Sequence, residues 1–580
     1  MSTKKRNLPA QIAAKNNISK IPPGKTKPES INILYPLQKG FNIPYPLLWL
    51  ALAALIIYFP TFSFGFTDLD DSIFIRDFHE YNENLHNLIT SFSRGVFNAT
   101  KDSYYRPLFL DTMILNYQAS GLSEAGYHVV NVLFHMVSVL LLYKLFTKLQ
   151  IKNLHAFLLC LIFAVHPVLS EAVAWIPGRN DTLLAIFTLS FLIASINYSE
   201  TAKTKWLVIA ALFLILSFFT KETAVFDAPI AFILLVVVLK ISWRDKHMLI
   251  QYGVWFACFV LWFIARSSAS LQPIPITTSQ LLSDFIHRLP LIIQYLGKIF
   301  IPVNLSVFPI IEDTVYYYGI AAILLLAVII YLSKDRDWRI LGSGLAIFLL
   351  FLLPVLLVPK SLNEQTFEHR LYLPMIGILL VLTQTVLLKN KLNDKQLFIS
   401  GMIVVGILSA ENYYHQKNFA GPVAFWTQAV ETSPHSAYAN MMLAAREDDV
   451  QLSYKLFRKA YQLNPKEKYL NFYYGVMLQK QDSVLASEKY LLAEKNTSDY
   501  YECDFYLARV AMEQKNFNGA IAFLVSYLKR DPKNQIANNN LLLLYIDTKQ
   551  PAKAVAQVRQ MQLIGIDVPK QVLQSLGLDR

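Results

Sequence analysis

The sequence predicts an all-α protein in two parts: a polytopic membrane domain of about eleven transmembrane helices, then a C-terminal α-solenoid of paired helices. Three observations predict it. Hydrophobic residues make up 54% of the chain and charged residues only 16%, with a mean hydropathy of +0.36. That balance excludes both an ordinary soluble enzyme and a disordered chain. Apolar runs of roughly bilayer length recur between residues 46 and 411. From about residue 436 the composition turns polar and helix-forming, with a repeat near 33 residues.

The chain of 580 residues has 53 Lys and Arg against 41 Asp and Glu, a formal charge of +12. Much of the excess sits in residues 1–45, where Lys4, Lys5, Arg6, Lys15, Lys20, Lys25, Lys27 and Lys39 face a single acid, Glu29. This stretch reads as a basic cytoplasmic tail. The apolar run 46–66 that follows lacks a small-residue cleavage site, so it reads as a first span and anchor rather than a signal peptide. Cys160, Cys258 and Cys503 have no CxxC spacing, and two of them lie within apolar runs, which argues against a thiol metal site or a disulfide framework.

Ten further apolar segments follow at about 127–147, 154–170, 182–198, 206–220, 224–240, 248–265, 317–333, 338–358, 371–388 and 396–411. Cations near span ends should collect on alternate loops. Lys144, Lys148 and Lys152, then Lys203 and Lys205, then Lys240, Arg244 and Lys246 do so, as do Lys334, Arg336 and Arg339, and finally Lys389, Lys391 and Lys395. All share the side of the basic tail, which puts the N-terminus in the cytoplasm and the C-terminus outside. Residues 288–303 are apolar but contain Gln294, Lys298 and two prolines, a pattern suited to an interfacial or re-entrant helix.

The domain boundaries follow: a basic tail over 1–45, the membrane domain over 46–412, a linker over 413–435, repeats over 436–567 and a short tail over 568–580. Paired amphipathic helices are expected at 437–445 with 450–463, 469–479 with 483–493, 501–513 with 517–529, and 536–547 with 551–562. The large and small residues Tyr506, Leu507 and Ala508 against Phe517, Ala520, Ile521 and Tyr527 fit tetratricopeptide packing, and Asp531-Pro532 supplies a stop. Such a stack needs no ligand, although its concave face can bind peptide.

Ionisable residues cluster in the loops opposite the basic tail. Phe64-Gly-Phe-Thr-Asp-Leu-Asp-Asp-Ser72 places Asp68, Asp70 and Asp71 just beyond the first span. Adjacent carboxylates can serve as a general base, hold a divalent cation such as Mg or Mn against a phosphate, or simply begin a helix. Tyr104-Tyr105-Arg106-Pro107 offers either a guanidinium for phosphate or an interfacial anchor. His128, Asn131 and His135 share one face of the second span, as catalytic groups or as interhelical glue. The densest block is His166-Pro-Val-Leu-Ser-Glu171-Ala-Val-Ala-Trp175-Ile-Pro-Gly178-Arg179-Asn-Asp181. Lys221-Glu222 and Glu368-His369-Arg370-Leu-Tyr-Leu-Pro374 lie on the same side.

The order of these motifs before a repeat tail resembles the transmembrane-and-TPR O-mannosyltransferase (TMTC-like) family of the GT-C fold, over roughly residues 45–560. The block 166–181 carries the resemblance most specifically. The resemblance implies a polyprenyl-phosphate-sugar donor without fixing the sugar, for which mannose is the expectation. It also implies an extracytoplasmic active site and inverting transfer to Ser or Thr hydroxyls of a protein acceptor that the repeats can hold. Carried onto this chain, it makes Asp71 the first choice of base and Asp70 the second. Arg106, Arg179, Arg370 and His166 then surround the donor phosphate. Asp68, Tyr105, His128, Asn131, His135, Glu171, Trp175, Asp181, Lys221, Glu222 and His369 support them. No cofactor is required, and nucleic acid is not an expected partner. The setting favoured is a bacterial inner membrane, with the repeats outside; a eukaryotic endoplasmic reticulum would give the same topology. The alternatives are a GT-C transferase acting on a lipid or glycan, and a flippase for lipid-linked sugar.

Overall fold

Pro46 opens the first helix, where its fixed φ and missing N–H cost nothing. In a computed structural model, residues 43–97, 103–271, 275–360, 364–389, 393–498 and 500–578 are described; the basic tail up to residue 42 lies outside them. All eleven expected apolar segments are helical, and among the described residues there is no β-strand. Among the described residues six helices are long and apolar enough to cross a membrane: Pro46–Ser63, Glu124–Lys148, Ile176–Thr201, Lys246–Ser268, Trp338–Leu357 and Asp394–Phe419. A seventh is the pair Asn153–Val165 and Pro167–Ala174, bent by 54°. The bend has a local cause: a residue before proline is pushed out of the helical region, and His166 is extended at φ −67°, ψ 124°.

The remaining segments are shorter than the expected eleven spans require. Thr204–Thr220 and Tyr317–Leu332 have 17 and 16 residues, and a helix of 17 residues still reaches about 25 Å. Asp227–Phe232 passes into wider turns at Ile233–Val238, and Pro374–Leu382 stops at a turn before Val386. Segment ends nonetheless meet alternately. At one end Lys148 pairs with Glu200 at 2.7 Å, His247 meets the Tyr198 hydroxyl at 3.4 Å, and Lys389 donates to the Asp335 carbonyl at 2.6 Å. At the other end, residues near 70, 106, 181, 222, 266 and 370 surround one cavity.

Two backbone contacts set that end. Helices Trp338–Leu357 and Pro374–Leu382 touch at Gly344 and Gly377, where a Cβ on Gly344 would lie 2.6 Å from the Gly377 carbonyl oxygen. The ambiguous segment forms helix Leu291–Phe300, which lies against Tyr317–Leu332. There a Cβ on Gly297 would sit 2.7 Å from the Gly319 nitrogen. This helix carries Lys298 to Glu368, a pair at 2.6 Å with both side chains nearly inaccessible. Glu368 also accepts from the Ser306 N–H at 2.7 Å and lies 3.6 Å from His415.

The stretch 413–435 is itself helical and packed. In helix Pro422–Thr432, Phe425 and Trp426 are buried against Phe308 and Phe419. Gln428 accepts from Val307 N–H and donates to the Leu305 carbonyl, both at 2.9 Å. Four helix pairs follow: Ala437–Ala444 with Val450–Leu463, Leu470–Lys480 with Val484–Ser498, Glu502–Glu513 with Phe517–Leu528, and Gln535–Asp547 with Pro551–Leu563. Side-chain caps begin several of them. Asp449 accepts from Gln451 N–H at 2.8 Å, and Asn534 accepts from Ala537 N–H at 3.0 Å. Lys570–Ser575 is a last short helix, with Val572 and Leu573 packed on the final pair.

Lys298→Ala leaves the Glu368 carboxylate buried without its cation and is expected to destabilise the protein by about 3–5 kcal/mol. Thermal unfolding in detergent measures this. The double variant Lys298→Met with Glu368→Gln should recover most of the loss, and an unchanged unfolding temperature in the single variant would refute the coupling.

Candidate active site

The loop after the first helix is shaped by one carboxylate. Asp71 is buried, and its oxygens accept from Thr67 N–H at 2.6 Å, Thr67 hydroxyl at 2.9 Å, Leu69 N–H at 3.2 Å and Ser72 N–H at 2.9 Å. Inside this knot Asp68 takes a left-handed backbone at φ 56°, a conformation that Asp tolerates better than most residues. The reversal separates the acids. Asp68 turns toward the repeats, where it bonds Arg76 and accepts from Ser72 Oγ at 2.8 Å and Arg446 Nε at 3.2 Å. Asp70 turns inward and lines a cavity of about 370 Å³. Among the described residues the Asp70 carboxylate accepts no hydrogen bond.

The other walls come from four loops. Arg106, the residue before Pro107, lies with its guanidinium 2.9 Å from Glu222 and 4.5 Å from the Tyr104 ring centre. Tyr105 N–H also donates to Glu222, at 3.2 Å. Lys221 contacts both oxygens of Asp181, at 2.7 and 2.8 Å. His369 lies between Trp175 and Phe367, 5.5 and 5.2 Å from their ring centres. Its N–H donates to Glu171 at 2.8 Å. Arg370 donates to the Gln365 carbonyl at 2.8 Å. Phe351, Pro354, Val355 and Leu357 from the membrane helix Trp338–Leu357 complete an apolar flank.

The carboxylates of the cavity differ sharply in their proton affinity. Burial pushes the Asp70 carboxyl up, the charge of neighbouring Asp71 adds to this, and Arg106 offsets part of it, leaving a pKa of about 7. Burial also acts on Glu222, but the Arg106 charge and its hydrogen bond outweigh it and hold that carboxyl below its ordinary value. Burial lowers Lys221, with Asp181 opposing, and drives His369 well below the usual imidazole range, so that it is neutral at pH 7. Among the described residues Asp181 and Glu222 are ion-paired, whereas Asp70 is not.

Of the residues expected from the sequence, Asp70, Arg106, Trp175, Asp181, Lys221, Glu222, His369 and Arg370 line this cavity together. The others support it from behind. Arg179 is fully buried; it donates to Asn131 Oδ1 at 2.8 Å and, at 3.0 Å each, to Asn116 Oδ1 and the Tyr127 carbonyl. Asn131 in turn bonds the carbonyls of Val173, Trp175 and Ile176 at 3.1 to 3.2 Å, tying the end of the bent segment. His166 is buried, bonding the Ile299 carbonyl at 2.9 Å and accepting from Val168 N–H at 3.2 Å. His135 joins the Tyr372 hydroxyl at 2.7 Å to the Ala164 carbonyl at 3.0 Å. His128 lies edge-on to Phe64, and the Tyr105 hydroxyl donates to the Phe92 carbonyl at 2.9 Å.

Sequence reasoning passed over Arg266 and Asn180, which line the cavity beside Tyr104. Arg266 ends an apolar helix and donates to the Ser103 carbonyl at 3.1 Å. Its second terminal nitrogen is buried and has no partner among the described residues. An Arg ending a span on the acid-rich side was the available signal. Among the described residues neither Arg266 nor Arg370 is ion-paired, so both charges are available to an anion. The expected Mg or Mn site fits poorly. Both Asp71 oxygens are committed to N–H and hydroxyl donors, and no group of three or more His, Cys, Asp or Glu is placed to hold a metal among the described residues.

Fold and site thus define a polytopic all-α membrane protein with a charged cavity at one end of its spans and a helical-repeat module beside it. Residues 112–264 match a family model described as dolichyl-phosphate-mannose-protein mannosyltransferase. A protein O-mannosyl-transferase of Caenorhabditis elegans is 38% identical over 142 residues, 24% of this chain and 20% of that protein. The human protein O-mannosyl-transferase TMTC4 is 35% identical over 180 residues, 26% of this chain and 24% of its own length. The mouse protein O-mannosyl-transferase TMTC1 is 38% identical over 109 residues, 19% and 11% of the two chains. The chain therefore spans at most 24% of the length of these relatives. The stretch 112–264 matched by the family model includes His128, Arg179, Lys221 and Glu222.

The two arginines should separate by experiment. Arg179→Met removes a buried strut and is expected to lower the unfolding temperature markedly. Arg370→Ala should leave that temperature nearly unchanged while weakening phosphate-containing ligands. Thermal unfolding with and without a polyprenyl phosphate distinguishes them, and equal ligand-induced stabilisation of Arg370→Ala and wild type would count against its placement at an anion site.

Proposed function

We propose that this protein transfers a sugar, mannose, from a polyprenyl-phosphate-sugar to Ser or Thr hydroxyls of proteins outside the cytoplasm. One observation carries the reading: a half-buried carboxylate with a pKa of about 7 shares a cavity with Arg106, Lys221, Arg266 and Arg370, beside an apolar flank continuous with a membrane helix. Phosphate suits the guanidinium groups, the lipid suits the flank, and the hydroxyl needs the base. The likeness to protein O-mannosyl-transferases supports mannose and a protein acceptor.

The sequence placed Asp71 before Asp70 as base; the side-chain placements favour the reverse order. Asp71 oxygens are engaged by the loop, while Asp70 faces the cavity. Asp70 takes the hydroxyl proton as the acceptor oxygen bonds to the anomeric carbon. The bond from that carbon to the phosphate oxygen breaks, and its electron pair leaves with polyprenyl phosphate. Arg266 and Arg370 stabilise the charge that gathers on the leaving phosphate. Arg106 is held by Glu222 and Lys221 by Asp181, which fixes both cations at the wall. Among the described residues the cavity has one carboxylate outside an ion pair, which suits one displacement with inversion, because retention needs a second carboxyl as nucleophile.

Asp70→Asn is expected to reduce transfer about 100- to 10,000-fold with unfolding temperature retained, whereas Asp71→Asn should chiefly impair folding. In wild type, kcat/KM should fall about tenfold per pH unit below about 7, because a protonated Asp70 cannot accept the hydroxyl proton. Labelled polyprenyl-phosphate-mannose and envelope proteins, supplied to purified protein in lipid, measure both. Transfer that persists in Asp70→Asn sinks its assignment. Protein-dependent movement of donor between leaflets without transfer replaces the transferase by a flippase.

A further inference from the structure

On the far side of loop 67–72 lies a second, larger cleft of about 1400 Å³, between that loop and the inner face of the helix pairs. Asp68, Ser72 and Arg76 form one wall, and the opposite wall is tyrosine-rich: Tyr438, Tyr469, Tyr473, Tyr500 and Tyr506 line it. Tyr469, Tyr473, Tyr500 and Tyr506 are held by one another and by Phe472, and Tyr438 packs on Phe308 and Trp426. Tyr469 lies 4.7 Å from Tyr500, and Phe472 lies edge-on to Tyr500 and Tyr506 at 4.9 and 5.5 Å. Among the described residues, the hydroxyls of Tyr469, Tyr473 and Tyr506 have no hydrogen-bond partner, so they are available to a bound chain. Seven carboxylates and five Lys or Arg side chains also line the cleft, including Glu447, Asp448, Lys480 and Arg530.

Each feature narrows the occupant. Fixed tyrosine rings present large amphipathic area at low entropic cost and favour no single side chain. Free hydroxyls match the carbonyls of an extended backbone, whose own N–H groups can meet the carboxylates of the lining. A lining of both signs with more acids than bases repels a polyanion such as nucleic acid. The cleft also adjoins the chemistry: Asp68 lines it, and Asp70, two residues on, lines the inner cavity.

We infer that this cleft is the acceptor channel, which takes an extended, unfolded segment of polypeptide and brings its hydroxyl side chains to the edge of loop 67–72. The inference rests on the transferase reading for its chemistry, but binding can be tested without transfer. The native cysteines Cys160, Cys258 and Cys503 are all buried, so Lys480→Cys introduces an accessible thiol in the cleft that a bulky maleimide can label selectively. The probe is a fluorescein-labelled unstructured peptide of Ser, Thr and Ala, titrated by polarisation against the full chain in lipid nanodiscs without donor. Saturable binding is expected, with Kd raised about tenfold or more by the maleimide block, and raised similarly in Tyr473→Ala. Unlabelled Lys480→Cys, titrated alongside, is the baseline against which the effect of the block is read. Tyr473→Phe, which keeps the ring, should weaken binding less than Tyr473→Ala. A Kd unaffected by both the block and Tyr473→Ala overturns the proposal, as does tighter binding of a labelled neutral oligosaccharide of similar size. Normal peptide binding in a protein that transfers no sugar would leave the channel standing and remove only the transferase reading.

Discussion

The functional end of the molecule depends on the Asp71 carboxylate and its four hydrogen bonds within residues 67–72. A carboxylate buried against N–H donors is one of the few devices that can hold so short a loop rigid without regular secondary structure. It fixes the reversal at Asp68, and that reversal sends two acids of a three-acid run to opposite sides. The loop is held from outside as well. Gly65 N–H donates to the Ala420 carbonyl at 3.0 Å, Trp426 Nε1–H to the Thr67 carbonyl at 3.1 Å, and Arg446 reaches Asp68. All three partners lie beyond the last apolar helix, so the segment leading into the repeats helps to shape the inner cavity.

Charge is the second constraint, because a polar cavity among apolar helices must hold its ions in place. Arg106 with Glu222, Lys221 with Asp181, and Lys298 with Glu368 join segments far apart in sequence. Buried pairs of this kind contribute little net stability, since desolvation offsets most of the Coulomb gain. Breaking one leaves an uncompensated charge, so they specify which loops meet. The same arithmetic explains why Arg266 and Arg370, which are not ion-paired among the described residues, stand at the cavity. An anion bound there completes a pairing that the protein leaves open.

The helices were legible because burial leaves a period in the sequence. The second member of the first helix pair, expected at 450–463, is found at Val450–Leu463, and the third pair's first helix, expected at 501–513, begins at Glu502. Span lengths were less legible. Apolarity persists from Leu371 through Pro374 to Leu388, although the helix runs only from Pro374 to Leu382 and the backbone turns before Val386, so a hydropathy window overstates the helix. The cavity's composition was largely legible too, since clustered ionisable residues beside apolar runs need a reason. The roles of individual residues were not. Arg179 and Arg370 look alike as letters, yet one is sealed behind Asn131 and the other faces the cavity, a difference made by tertiary contacts. The order of Asp70 and Asp71 was hidden by the left-handed residue before them, because a chain reversal obeys no helical or strand period.

A thin loop between two cavities also bears on how the proposed base is tuned. Asp70 owes its high proton affinity first to burial and then to the Asp71 charge, with Arg106 in opposition. A phosphate seated by Arg266 and Arg370 adds negative charge to the same space and raises that affinity further. The base is then strongest when donor is bound, and weaker in the empty cavity. Asp68, on the other face, is held by Arg76 and Arg446, so its charge is compensated where an acceptor would approach. The fold thereby assigns different surroundings to three acids within four residues: Asp71 holds the backbone, Asp68 ties the loop to the repeats, and Asp70 faces the reacting groups in the proposed reaction.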